Sequence, residues 1–212
     1  MAGTITELRA QQKRKDRVNV YLDGQYAFGI KDLLAARLRV GQQLTDDDIA
    51  NLKRDDAFEE AYNRALNYLS YRPRSSAEVR RNLQKKQTPN SVVEAVVERL
   101  TRAGLLDDAV FAEYWVEQRE QFKPRSPQML RHELRMKGIA PEHIDRAIRD
   151  LDEGASARRL AGERARRYAH LERKEFWRKM AGYLQRRGFR YHIIQPIIED
   201  LWQEIEHADP DS

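Results

Sequence analysis

The sequence predicts a mainly α protein, built of tandem three-helix repeats in an elongated, curved array and preceded by a small N-terminal α/β head containing a β-hairpin. Three observations predict it. Apolar positions return with a period near fifty residues: Val79 and Leu83 reappear as Leu130 and Leu134, then as Met180 and Leu184. Likewise Val93 and Leu100 reappear as Ile144 and Leu151, then as Ile194 and Leu201, at offsets of 51 and then 50. Helix-capping and helix-ending residues recur with them, and only one stretch alternates convincingly with the period of a strand. A fixed period of this length means repeated units that stack, and stacked helical units suit the binding of something long better than the enclosure of something small.

The strand signal lies in the head. Residues Arg17 to Leu22 alternate polar and apolar, Asp23-Gly24 supplies a two-residue turn, and Gln25 to Ile30 form the return strand. Lys31 to Arg39 reads as a short helix closed near Gly41, and Thr45 with Asp48 makes a capping box for a further segment, Asp46 to Lys53. The head is expected to span 1–55 and the repeats 56–106, 107–152 and 153–212, the last with an acidic tail.

In the first repeat, Asp56 to Tyr71 carries Ala61, Ala65, Leu66 and Leu69 at helical spacing. Ser75 and Glu78 form another capping box, so a second helix should run to about Lys86, and Thr88-Pro89 starts a third. The second repeat opens with Asp107 or Asp108 as cap, starts its middle helix at Ser126-Pro127 and its last at Pro141. Ala112 and Val116 take the places of Ala61 and Ala65, and Gly138 ends the middle helix where Gln87 did, as Gly188 does again in the third repeat. That third repeat is the least regular: Glu175 replaces the serine cap, and Arg158, Arg159, Arg164, Arg166 and Arg167 dominate its first helix.

Composition bounds the function. The 212 residues are 41% hydrophobic, no apolar run approaches a membrane span, and the first eleven residues do not read as a secretion signal, so a cytoplasmic protein is expected. Absence of cysteine removes disulfides, thiol nucleophiles and thiolate metal sites. The five histidines form no metal-ligand spacing and no Gly-rich phosphate loop follows a strand, so neither an enzyme, a metal nor a cofactor is expected. Asp107-Asp108 reads as a helix cap rather than a paired-carboxylate site, because it immediately precedes an apolar helix.

Charge is uneven. Arg158 to Arg190 holds twelve Lys or Arg against three Glu, whereas from Glu199 onward there are six acids and neither Lys nor Arg. Such a run fits a solvated helical surface, a phosphate backbone or an acidic protein groove. Arg80, Arg81, Lys85 and Lys86 lie on the middle helix of the first repeat, and Arg131, Arg135 and Lys137 on its counterpart. Arg72 and Arg74 precede the former helix; Arg119, Lys123 and Arg125 precede the latter; Arg166, Arg167, Arg186 and Arg187 continue the series. These are the candidate filament- or nucleic-acid-binding residues, with Ser75, Asp107, Asp108 and Ser126 as structural caps. Most aromatics should fill cores, with Phe189 and Tyr191 the best candidates for exposed rings beside the basic side chains. Three-helix units also resemble helix-turn-helix DNA readers, so an autonomous DNA-binding protein is the alternative.

The centre of the chain resembles the RecX family, regulatory proteins of the bacterial recombinase RecA. The matching residues are Gly104-Leu105-Leu106-Asp107-Asp108-Ala109-Val110-Phe111-Ala112, then Tyr114, Val116 and Arg119, then Glu133-Leu134 and Lys137-Gly138-Ile139. Earlier, Leu66, Leu69, Arg72, Arg74-Ser75 and Glu78-Val79 match the family's first repeat, and the head hairpin from Tyr21 to Gly29 looks like that of longer members. The resemblance implies a non-enzymatic protein that binds the RecA filament and its single-stranded DNA; a monomer with weak direct DNA binding of its own is expected. The resemblance further implies restraint of RecA's ATPase, strand-exchange and coprotease activities, in DNA repair, homologous recombination and the SOS response.

Overall fold

The computed structural model describes residues 2–208 and divides into two compact units, separated in sequence between Leu106 and Asp107. Asp209 and Asp211 of the expected acidic tail lie outside the described residues.

The first unit opens with an antiparallel sheet of four strands in the order β3-β2-β1-β4: β1 (Gly3–Ala10), β2 (Arg17–Leu22), β3 (Gln25–Lys31) and β4 (Gln43–Leu44). The expected hairpin is β2-β3, and its turn residues Asp23 and Gly24 both have positive φ, 48° and 84°, the geometry that suits the natural strand twist. Strand β1 was not expected, because its inward residues Ile5 and Leu8 are three apart rather than two or four. A bulge between Ile5 and Glu7 shifts the register and hides the alternation. The helix expected over Lys31–Arg39 shrinks to α1 (Asp32–Ala35), since Lys31 pairs with Arg17 in the sheet and the chain after Ala36 turns back to β4.

Helix α2 (Asp46–Leu69) starts at the Thr45 capping box, with Asp48 N donating to Thr45 Oγ1 at 3.1 Å and Thr45 N to the Asp48 carboxylate at 2.9 Å. It then runs unbroken for 24 residues through the expected division at 55/56. Asp56 explains the continuity. Its nearly buried carboxylate accepts from Arg17 Nη2 at 2.7 Å and from Lys31 N at 2.8 Å, so it anchors the helix to the sheet instead of ending it. The far half of α2 packs with α3 (Ser76–Gln84) and α4 (Asn90–Arg102) around Ala61, Ala65, Val79, Leu83, Val93 and Leu100.

The second unit holds two further three-helix groups. Helices α5 (Asp108–Phe122), α6 (Pro127–Met136) and α7 (Pro141–Ile148) enclose Ala112, Val116, Leu130, Leu134 and Ile144. Helices α8 (Glu153–Tyr168), α9 (Arg173–Gln185) and α10 (Tyr191–Ala208) enclose Ala161, Ala165, Met180, Leu184, Ile194 and Leu201. Each middle helix ends in a left-handed residue, Gln87 (φ 58°), Gly138 (φ 78°) and Gly188 (φ 90°). Each is followed by the same closing hydrogen bond: Thr88 N to Leu83 O, Ile139 N to Leu134 O and Phe189 N to Leu184 O.

Two capping expectations need correction. Asp107 is the cap of α5, accepting from Ala109 N at 2.8 Å and Val110 N at 3.0 Å, while Asp108 is the first helical residue. In the third group α9 begins at Arg173, earlier than the serine pattern implies, with Glu172 at the cap position. Phe176, fifty residues after Ser126, is fully buried and extends the helix by about a turn, so Glu175 sits inside that turn and pairs with Lys179 at 3.0 Å. Among the described residues no helix is long and apolar enough to cross a membrane.

Candidate functional site

The arginines among the first repeat's candidates are tied into its own structure. Ser75, fully buried, caps α3 by accepting from Glu78 N, and Glu78 answers by accepting from Ser75 N and from Arg72 Nη2 at 3.0 Å. The Arg74 guanidinium lies 4.0 Å over the Tyr68 ring, and its Nε is buried without a hydrogen-bond partner. Arg80 pairs with Glu94 of α4 at 3.0 Å, and Arg81 Nε donates to Ala77 O. Lys85 and Lys86 follow α3 and are exposed.

The second repeat repeats one of these pairs. Arg131 of α6 bonds Asp145 of α7 at 2.8 Å, the positions being those of Arg80 and Glu94 moved by 51 residues. Exposed pairs of this kind contribute about 0–1 kcal/mol, and their chief effect here is to neutralise two expected binding cations. Glu133 is a more buried centre: Trp115 Nε1 and Arg119 Nε each donate to it at 2.8 Å, and Arg125 Nε lies 3.7 Å from its second oxygen. Lys137 sits 4.0 Å over the Trp115 ring. Ser126 caps α6 through Met129 N, while Lys123, at the C-terminus of α5, and Arg135 are exposed.

In the third repeat the excess of positive charge is partly answered. Arg158 of α8 reaches Asp200 and Glu204 of α10, and Arg159 reaches Glu120 of α5. Among the described residues Arg164, Arg166, Arg167, Arg186 and Arg187 have no carboxylate partner. Arg166 and Arg167 are exposed in the last turn of α8. Arg187 stacks 3.9 Å over the Tyr183 ring, and Arg164 lies 4.9 Å from the same ring. Arg125 Nη1 donates to Arg186 O at 3.2 Å, and Ser126 N donates to Arg187 O at 3.0 Å, so this group draws on both helical repeats of the second unit. Burial, together with repulsion from Arg125, Arg164 and Arg186, holds the Arg187 guanidinium below the ordinary arginine pKa.

The candidates therefore differ in what answers their charge. Arg72, Arg80, Arg119 and Arg131 are paired with carboxylates, whereas Arg164 and Arg187 meet on the Tyr183 ring and have no carboxylate partner among the described residues. From the sequence Glu133 stands out only within the family-like motif, and neither it nor Trp115 nor Tyr183 is assigned a role, yet these three organise the cations. Placing the repeats side by side would have found them, since Tyr183 stands fifty residues after Glu133. Phe189, expected to be exposed, is buried in the α8–α10 core, because the turn after Gly188 carries it inward; Tyr191 is 54% exposed with its ring 5.8 Å from Trp177. Among the described residues no group of three His, Cys, Asp or Glu side chains is placed to hold a metal ion.

Four family models match the chain in order. They are the regulatory protein RecX N-terminal domain over residues 3–45, and the first, second and third RecX three-helix domains over 61–100, 107–148 and 152–198. Among individual relatives, the regulatory protein RecX of Bacillus velezensis is 32% identical over 210 residues, covering 97% of this chain and 79% of that one. That of Bacillus pumilus is 30% identical over 207 residues, covering 95% and 79%. A crystal structure of regulatory protein RecX matches with a TM-score of 0.70 at 31% identity over 93% of this chain and 99% of its own. A second, RecX from Lactobacillus salivarius, gives 0.59 at 28% identity over 69% and 97%.

Proposed function

The chain belongs to the RecX family of regulatory proteins, and from that membership we propose that it is a non-enzymatic regulator of RecA that binds the filament RecA forms on single-stranded DNA. Binding restrains ATP turnover, strand exchange and RecA-assisted cleavage of the SOS repressor. The observation that carries this reading is the ordered series of three three-helix units, each with its own core and the same closing turn. A filament presents one surface again and again along its length. A chain that repeats one unit can meet such a surface at several points, and linked contacts of modest strength sum to tight binding through effective concentration. The protein acts as a monomer in the cytoplasm and takes no cofactor.

RecA on single-stranded DNA with ATP, titrated with this protein at near-physiological salt, tests the reading. ATP turnover should fall as the protein is added, repressor cleavage should slow in parallel, and the protein alone should hydrolyse no ATP. Turnover unchanged across the titration rejects it. The unpaired arginines of the third repeat favour a second reading, an autonomous DNA-binding protein. A sequence-specific reader would prefer one duplex strongly, and equal affinity for unrelated duplexes rejects that version.

A further inference from the structure

Repeats within one chain supply their own comparison. In the second repeat, Trp115 and Arg119 of α5 meet Glu133 and Lys137 of α6, with the Glu133 carboxylate as the shared acceptor. Matching the buried positions of the third repeat requires an offset of 49 for the first helix, from Ala112 and Val116 to Ala161 and Ala165. For the middle helix it requires 50, from Leu130 and Leu134 to Met180 and Leu184. Those offsets carry Trp115, Arg119, Glu133 and Lys137 to Arg164, Tyr168, Tyr183 and Arg187. Two cations remain and the carboxylate is gone.

The side chains at these positions still meet. Both guanidiniums lie on the Tyr183 ring, at 3.9 Å and 4.9 Å, and Arg164 Nε donates to the Tyr168 hydroxyl at 3.3 Å. Arg125, bonded to Arg186 O, joins from the second repeat, and Glu133, the carboxylate that pairs with it among the described residues, already serves Arg119 and Trp115.

We propose that Arg164 and Arg187, assembled on the Tyr183 ring with Arg186 and Arg125 beside them, form a site for the phosphodiester backbone of DNA, bound directly by the third repeat. Like charges gathered without a counter-ion repel one another; burial first, and then repulsion from Arg125, Arg164 and Arg186, hold the Arg187 guanidinium below the ordinary arginine pKa. An anion supplied from outside removes the cost. Guanidiniums stacked on a ring keep their planar forks oriented with little entropy left to lose, and a fork matches two oxygens of a phosphate. The site rests on the regulator reading only for its ligand, the strand inside the filament.

Anisotropy of a labelled oligothymidylate, measured over a salt series, tests the site with three variants. Tyr183→Glu restores the carboxylate that the second repeat carries at the matching position, Arg164→Gln/Arg187→Gln removes the stacked cations, and Tyr71→Glu makes the same charge change as the first at an 83% exposed site in the other unit. Each lost phosphate contact lowers the slope of log affinity against log salt by about 0.7 on single strands. Tyr183→Glu and the double variant should each lower it by about 1–1.5, with Tyr71→Glu matching the unaltered protein. If circular dichroism shows Tyr183→Glu has lost helix, the double variant decides. Equal slopes for the cluster variants and Tyr71→Glu overturn the site. An unaltered protein that still slows RecA alongside such equal slopes removes the site alone; failure to slow RecA removes the regulator reading instead.

Discussion

The carboxylate of Asp107 shows how one residue sets a local pH dependence. Hydrogen bonds from Val110 N, then Ala109 N, with His143 and Arg146 nearby, hold its pKa below the ordinary 3.8 despite some desolvation. A group depressed in the folded state adds stability that is complete above its unfolded pKa and is lost as pH falls through the folded value. Asp107→Asn keeps a good cap but does not titrate, so thermal unfolding should find it close to the unaltered protein at pH 7 and less sensitive to acid below about pH 4. The left-handed residues ending the middle helices give a second pair of expectations. Gln87 has φ 58° and a side chain that gains nothing from that conformation, so Gln87→Gly should raise stability by up to about 1 kcal/mol. Gly188→Ala should lower stability, because at φ 90° its Cβ would come within 2.5 Å of Ser126 Oγ. Equal melting temperatures for both variants would contradict this account of the turn.

Elements are held by contacts that the sequence does not announce. Asp56 joins α2 to the sheet through Arg17, both side chains 11% exposed, so Asp56→Ala leaves a nearly buried guanidinium without its main partner. Urea unfolding should show a loss of about 3–5 kcal/mol, a little less if Glu60, 3.8 Å from Arg17, takes over. A loss under about 1 kcal/mol would mean that the pair does not hold α2 in place. The three cores and the β2-β3 hairpin were legible because their signals are periodic or local: Val79, Leu130 and Met180 recur, and Asp23-Gly24 marks its own turn. Strand β1 was illegible because a bulge breaks its alternation, and the continuity of α2 because the segments opening at Asp46 and at Asp56 read as separate helices until Arg17 is placed beside Asp56. The candidate site was half legible. Its arginines stand out as charge, but which are answered by Glu94, Asp145 or Glu133 and which gather on Tyr183 depends on residues 14 or more positions away or on the register between repeats.

At the scale of the whole molecule, a head and three three-helix units follow one another in the order of the RecX domains. On the proposed function, repetition on the protein side would answer repetition on the filament side, and the third unit carries cations at positions where the second unit neutralises its own with Glu133. On the same reading, binding to the assembled filament is distinct from binding to either component. Co-sedimentation with RecA on single-stranded DNA, compared with RecA alone and with bare DNA at one near-physiological salt concentration, tests that separation most directly. The protein should pellet with the assembled filament at concentrations where it binds neither free RecA nor bare DNA appreciably. Equal retention by bare DNA and by the filament, or none by the filament, would contradict the account.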